Sequence, residues 1–384
     1  MDFSWNTERC LQRVRIPLYL SIVRKIFGNE EYKLLLNVFV NHRVPLAKVE
    51  DDKNALERLL KTGILKIFTA KLDLDDDRED LKEELSKKRS LENADDRITK
   101  KGVGVVLENV EYVAVEYSCL DDYVFLEELV KSVEERLSDM GLMRSIVNLL
   151  YSKGSIGRSI SYDQIRVHCK NEKQFKLVDK LEDLLAHLCH ENTPFLKMID
   201  RSGGGVYIIN VTFGQEYLKK KFALGVINSK FDSLSVRMIR VLLDKGYLEE
   251  KQVSKYSMMP NKDVRERLYK LLKHNYVHLQ EVPKTPERVI NKMFFLWGCD
   301  LPKLYQAISK ECANGIAKLK QKLLSELKLH DALIQKLERK DVQYNSLLLH
   351  SSEQEMWKKL KKTLNHLEIS SIELEKMRLI FNLR

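Results

Sequence analysis

No stretch of the 384 residues approaches about 18 consecutive apolar residues free of charge, the length a membrane-crossing helix requires. The opening MDFSWNTERC carries Asp2 and Glu8 and lacks the basic-then-apolar order of a secretory leader. Both absences predict a soluble intracellular chain with no membrane partner. The six cysteines, Cys10, Cys119, Cys169, Cys189, Cys299 and Cys312, are scattered and form no CxxC pair, so reduced thiols are expected in place of a disulfide framework. GxSxG, HExxH, Walker and kinase signatures are missing as well. The chain therefore reads as a non-enzyme that needs no cofactor.

Hydrophobic residues make up 44% and charged residues 32%, enough apolar matter for packed cores. At about 150 residues per domain, two or three domains are expected. Lys and Arg number 66 against 56 Asp and Glu, a formal charge of +10. That balance suits a polyanionic partner.

A short pattern, Leu-x-x-Leu-Leu, recurs three times near the end of a helical stretch: Leu56, Leu59 and Leu60; Leu181, Leu184 and Leu185; Leu268, Leu271 and Leu272. Spacings of three and four put each trio on one helix face. Each is followed by a break and an alternating apolar segment: GILKIF from Gly63, TPFLKMI from Thr193 and NYVHLQEV from Asn275. A helix that feeds an antiparallel sheet is predicted three times.

The last copy is the fullest. Val236, Ile239, Leu242 and Leu243 mark a first helix ending near Gly246, and EEKQVSKYS a second that packs through Val253 and Tyr256. After Met259 and Pro260 a third runs from Asn261, its candidate N-cap, to His274. The segments 276–282 and 290–297 then form a hairpin across PKTPER. Three helices followed by a two-stranded hairpin is the winged helix-turn-helix order. The middle copy has helices from Leu142 to Tyr151, Tyr162 to Val167 and Glu172 to Cys189, then strands FLKMI and VYIINV around RSGGG. Those glycines permit the positive backbone angles of a wing turn. The first copy begins near Arg9, with its third helix around Ala55 to Leu60. Its return strand is displaced by a charged insertion at 71–101, and regular structure resumes with GVGVVLENVEYVAVEY.

From about Asp300 long helices take over. Met356, Leu360, Thr363, Leu367, Ser370, Leu374, Met377 and Phe381 trace a heptad seam. The preceding helix, Leu301 to about Asp341, has a looser stripe, and the break at YNSLLLHSS predicts an antiparallel pair. The expected fold is thus mainly α with small β-wings: tandem extended winged-helix domains at 5–117, 120–230 and 231–299, and a C-terminal antiparallel coiled-coil hairpin at 300–384.

Potential ligand sites are few. His168, Cys169, His187, Cys189 and His190 could suggest zinc, but His187 and Cys189 are two apart on a helix and point to different faces, so no metal site is expected. The acidic run from Asp73 to Asp80 lacks the glycine and terminal Glu of a calcium loop and reads as solvated charge. For nucleic acid the candidates are Lys262, Arg265, Arg267, Lys270 and Lys273 on the last third helix, Lys284, Arg288 and Lys292 around its wing, and Lys219, Lys220 and Lys221 in LKKKF. Such scattered cations would bind DNA weakly, independently of sequence and with steep salt dependence.

The ordered residues also carry a family resemblance. SGGGVYIINV, EEKQVSKYSMMPNKDVRERLYKLLKHNYVHLQEVPKTPER and the helical hairpin resemble the third-largest subunit of eukaryotic DNA-directed RNA polymerase III. LQEVPKTP is the most specific piece, and RCLQRVRIPLYLSIVRKIFG is more weakly similar. The likeness is dense from Ser202 to Trp297 and loose elsewhere. It implies a nuclear, non-catalytic subunit that joins two others in a heterotrimer on the clamp of the largest subunit. There it would assist transcription initiation and promoter opening on genes for small structured RNAs, with promoter DNA as a weak, non-specific partner. It also implies a chain lacking the family's first winged helix, because its start resembles the second module: either a compact form or a sequence incomplete at its N-terminus. The alternatives are a general transcription factor resembling the alpha subunit of TFIIE, whose paired CxxC motifs are absent here, or another winged-helix DNA-binding scaffold.

Overall fold

The computed structural model describes residues 7–41, 44–46, 53–71, 109–137, 141–153, 159–171, 178, 180–190, 194–284, 293–339 and 350–383. The chain is mainly helical with small antiparallel sheets. It divides into two compact units, residues 23–120 and residues 1–22 with 121–384.

The unit of residues 23–120 takes in the end of α1 (Thr7–Ile26), α2 (Asn29–Asn41), β1 (Val44–Pro45), α3 (Lys53–Lys61), β2 (Leu65–Lys71) and β3 (Asn109–Val115). Leu34, Leu35, Val38 and Phe39 repeat at helical spacing on α2 and are buried, as are Leu56 and Leu59 on α3. The sheet order is β1-β3-β2, with β2 and β3 antiparallel from Leu65↔Val115 to Lys71↔Asn109. The displaced return strand is therefore β3, on the far side of the insertion, and residues 72–108, including the acidic run, lie outside the described residues.

The end of α3 has a local cause. Gly63 takes φ +77°, its N–H meets the Leu60 carbonyl at 3.0 Å, and the Ile64 N–H meets the Leu59 carbonyl at 3.1 Å. This is a Schellman closure, in which a left-handed residue turns the chain back over the last carbonyls. Within LLKTGI the helix ends and the chain turns, and β2 begins at the next residue.

The other unit continues through α4 (Tyr117–Leu137), α5 (Leu142–Lys153), β4 (Ile160–Ser161), α6 (Tyr162–Asn171), α7 (Leu181–Leu188), β5 (Leu196–Asp200) and β6 (Val206–Ile209). Residues 172–177 of the expected third helix lie outside the described residues. The sheet order is β4-β6-β5. Between β5 and β6, Gly203, Gly204 and Gly205 all have positive φ. A Cβ on Gly205 would stand 2.8 Å from the Tyr207 hydroxyl and one on Gly204 2.9 Å from the Tyr162 ring, whereas Gly203 faces open space.

Next come α8 (Val211–Lys230), α9 (Ser233–Lys245), α10 (Glu250–Ser257), α11 (Asn261–Lys273), β7 (His278–Pro283) and β8 (Met293–Gly298). Asp232 caps α9 by accepting the Ser235 N–H at 2.7 Å. Glu249 and Gln252 form a capping box on α10. Asn261 is not a cap: it is the first residue of α11, and Pro260 occupies the cap position without a side-chain bond. Nor does Tyr256 pack inward. It is exposed, and Val253 and Ser257 are the buried residues of α10. At the end of α11 the closure of α3 recurs: Asn275 has φ +59°, its N–H meets Leu272 at 2.9 Å, and the Tyr276 N–H meets Leu271 at 3.0 Å. β7 and β8 pair antiparallel from His278↔Gly298 to Pro283↔Met293.

Two long helices complete the unit, α12 (Leu301–Leu329) and α14 (Ser351–Asn382), with the short α13 (Asp331–Glu338) between them. They run antiparallel: Ser309 bonds Asn382, Cys312 meets Met377, Leu374 lies over Gly315, and Lys336 pairs with Glu353. Along the heptad positions Leu360 and Phe381 are buried, Leu367, Ser370, Leu374 and Met377 half-buried, and Met356 and Thr363 exposed. Leu304, Ile308 and Cys312 of α12 and Phe381 of α14 share one hydrophobic core with Met238, Ile239, Val253, Val264, Leu268, Tyr276 and Trp297. The helical pair is thus built into the core of the preceding helices and hairpin.

A buried ionic network closes this unit. Arg15 on α1 gives its Nε to the Glu375 carboxylate at 2.8 Å and its Nη1 to Asp121 on α4 at 3.1 Å. Tyr19 donates its hydroxyl to Asp121, and Arg378 holds Glu375 through Nε at 2.8 Å and Nη2 at 3.0 Å. Burial alone would lower the Arg15 pKa, but Asp121 and Glu375 hold it above its ordinary value. Two guanidinium and two carboxylate charges cancel in a site that is buried except at Asp121, which is half-buried.

Candidate nucleic-acid interface

On α11 the buried residues are Val264, Leu268 and Leu271. A period of 3.6 then turns Lys262, Arg265, Glu266, Tyr269, Lys270 and Lys273 outward, and all six are exposed. Most of this positive charge is already paired. Arg265 reaches Glu250 on α10 at 2.8 Å, Arg267 reaches the capping carboxylate of Asp232 at 2.9 Å, and Lys270 meets Glu266 at 2.6 Å. Hydrogen bonding to Glu250 raises the Arg265 pKa, and Lys270 holds Glu266 below the ordinary carboxylate range. Burial would raise Asp232, yet Ser235 and Arg267 outweigh it and keep this carboxyl low. Lys262 and Lys273 have no ion-pair partner among the described residues.

The wing contributes less than its sequence promised. Lys284 stands 4.0 Å over the Phe294 ring, a cation–π contact, while Arg288 and Lys292 lie outside the described residues. Of the LKKKF lysines, Lys219 donates to the Leu383 carbonyl at 2.6 Å, and burial lowers its pKa. Lys221 meets Glu135 at 2.6 Å and the Ser132 hydroxyl at 3.0 Å. Lys220 is exposed without an ion-pair partner among the described residues. An open cleft between α8 and α9 is lined by Lys221, Asn228, Arg237 and Arg240.

The candidate cations are therefore not gathered into one array. Sequence reasoning missed their partners because Asp232 and Arg267 are 35 positions apart and Glu250 and Arg265 15 apart, beyond any helical spacing. Only the Glu266–Lys270 pair, four apart, was legible. Among the described residues no three His, Cys, Asp or Glu side chains are grouped to hold a metal ion. No helix among them is long and apolar enough to cross a membrane.

Residues 224–299, from α8 through β8, match the family model described as POLR3C, C-terminal winged-helix domain. The chain is 29% identical over 210 residues to DNA-directed RNA polymerase III subunit RPC3 of Rattus norvegicus, a match covering 51% of this chain and 39% of the rat protein. It is 32% identical over 159 residues to RPC3 of Danio rerio, covering 41% and 30% of the two chains. With the rpc3 subunit of Dictyostelium discoideum it shares 29% identity over 137 residues, or 36% and 21%. The matched part thus spans about two fifths or less of each relative's length. In its matched residues the chain is thus similar to the RPC3 subunits of RNA polymerase III, with a winged-helix domain at 224–299.

Proposed function

We propose that the chain is a non-catalytic subunit of nuclear DNA-directed RNA polymerase III that acts in transcription initiation. One observation carries this reading: the chain has both a winged-helix match at 224–299 and a similarity over 210 residues to proteins named as subunits of that polymerase. That naming favours it over a general transcription factor. The architecture is read as three winged helices, near 5–117, 120–230 and 231–299, followed by an antiparallel coiled-coil hairpin at 300–384. The recurrence of helix, turn and antiparallel strands supports the modules, and the antiparallel order of α12 and α14 supports the hairpin.

The partners are other polymerase III subunits, in a heterotrimer seated on the clamp of the largest one, and promoter DNA bound weakly without sequence preference. Neighbouring subunits supply the catalytic carboxylates. Affinity capture of the tagged protein, with mass spectrometry of what accompanies it, tests the reading. Recovery of the two largest polymerase III subunits is the expected result. Capture that reproducibly lacks every polymerase subunit refutes it.

A further inference from the structure

Residues 317–370, the far part of the helical pair, hold eleven Lys and Arg against seven Asp and Glu, four of the chain's ten net positive charges. Lys322 pairs with Glu326 at 2.6 Å and Lys336 with Glu353 at 2.8 Å. Lys318, Lys328, Lys358, Lys359, Lys361 and Lys362 are exposed and have no ion-pair partner among the described residues. On α11, by contrast, Arg265, Arg267 and Lys270 are tied to carboxylates, and Lys262 and Lys273 alone have no ion-pair partner among the described residues.

At 100° per residue, Lys358, Lys361 and Lys362 fall within one arc of α14 together with Asn365 and Ile369. Leu360, Leu364 and Leu367 occupy the opposite, less exposed side. We infer that this lysine stripe binds the phosphate backbone of double-stranded DNA, so that the helical pair, more than the third helix of the last module, carries the chain's nucleic-acid contact. The inference deepens the proposed function and rests on it for the presence of DNA.

The composition of the stripe selects the occupant. Interfaces with protein are depleted in Lys and enriched in aromatics and Arg, and this stripe has lysine as its only cation and no aromatic. Single strands need aromatic faces on which bases stack, which the stripe does not offer. Lysine is a compact point charge without the planar fork that reads guanine edges, so the contact is to phosphate and carries no sequence information.

The test uses the full chain and a fluorescein-labelled duplex of arbitrary sequence, about 30 bp, with anisotropy read between about 50 and 200 mM salt. The triple variant K358Q/K361Q/K362Q should bind at least tenfold more weakly at the lowest salt. Its log K against log salt slope should flatten by about 2.7, since each phosphate contact contributes about 0.9. K358R/K361R/K362R should bind like the unaltered chain, and both triples should melt at the unaltered temperature because the side chains are solvated. R265E/K270E/K284E should lose less than the stripe variant. Wild-type affinity in the glutamine triple, or a larger loss in the α11 triple, overturns the proposal. Tighter binding of labelled poly-L-glutamate than of duplex, abolished by the same glutamine triple, overturns it in favour of an acidic polypeptide. Duplex binding by the isolated chain does not depend on capture of polymerase subunits, so failure of one reading is distinguishable from failure of the other.

Discussion

Substituting Glu375 tests whether the buried ionic network holds the N-terminal helix to the C-terminal one. The carboxylate is wholly buried and takes four N–H donors, Nε and Nη2 of both Arg15 and Arg378, at 2.7–3.0 Å. Glu375→Gln keeps the shape but removes the charge and turns an amide group toward the guanidinium ions. Arg15 retains Asp121, whereas Arg378 is left in a nearly closed site with no other ion-pair partner among the described residues. Breaking a buried pair in this way costs about 3–5 kcal/mol, because the remaining charge stays desolvated. Replacing every member with apolar residues could be neutral, so the variant that leaves both arginines in place is the discriminating one.

The measurement is urea unfolding followed by tryptophan fluorescence. Trp297 and Trp357 belong to the unit that holds the network, so their signal reports that unit. With a slope of about 2.5 kcal/mol/M, the midpoint should fall by about 1–2 M. The loss should persist in about 1 M salt, since buried pairs are little screened. A loss under about 1 kcal/mol, the range of solvent-exposed pairs, would refute the assignment of the network as the closure of this unit.

Further outcomes follow from the same contacts. Asp232 has a folded pKa below its ordinary value, so its stabilisation is complete above about pH 4 and disappears as pH falls through the folded value; the melting-temperature gap between the unaltered chain and Asp232→Asn should therefore narrow on acidification, and a constant gap would contradict this. Gly205→Ala should cost about 1–3 kcal/mol from positive φ and its clash with Tyr207, and Gly203→Ala, with open space around it, only about 1 kcal/mol; equal melting shifts would refute the packing argument. Deleting residues 301–384 removes Leu304, Ile308, Cys312 and Phe381 from the shared core and should both abolish a cooperative thermal transition in the remaining unit and end co-purification with the polymerase. A truncated chain that stays folded and still assembles would show the helical pair to be dispensable.

The local parts of the fold were legible because local chemistry decides them. The Leu trios are buried or half-buried at each predicted site, and each precedes a strand because the chain must close its helix and turn. LLKTGI and LLKHNY close alike, with Gly63 and Asn275 in the left-handed region that these two residue types tolerate best. The shared LLK, followed two residues later by Gly or Asn, was a readable signal for the equivalence of α3 and α11, and leucine periodicity alone did not use it. The return strand of the first sheet could be placed after the insertion because VEYVAV alternates. Its register on β2 could not be named from pattern, since pairing across 37 intervening residues depends on tertiary closure.

The candidate site was less legible, for a reason that the cations themselves illustrate. In the sequence Lys219, Lys221, Arg265 and Lys358 are equivalent positive charges. In the fold they divide according to what their backbone positions bring near: Lys219 finds the carbonyl of Leu383, Lys221 finds Glu135, Arg265 finds Glu250, and Lys358 stays exposed. The pairs are set by helices that meet only after folding, so no window of sequence contains both members. A charged residue on a third helix is thus weak grounds for nucleic-acid contact wherever a neighbouring helix N-terminus presents acids, as α9 and α10 do through Asp232, Glu249 and Glu250. Those acids are there to satisfy helix ends, and neutralising the facing α11 cations is their by-product. On α14 the N-terminal acid Glu353 is taken by the His350 cap and Lys336, and among the described residues no ion pair reaches Lys358, Lys361 or Lys362. The charge of the lysine stripe stays available to a partner for the same geometric reason that the charge on α11 does not.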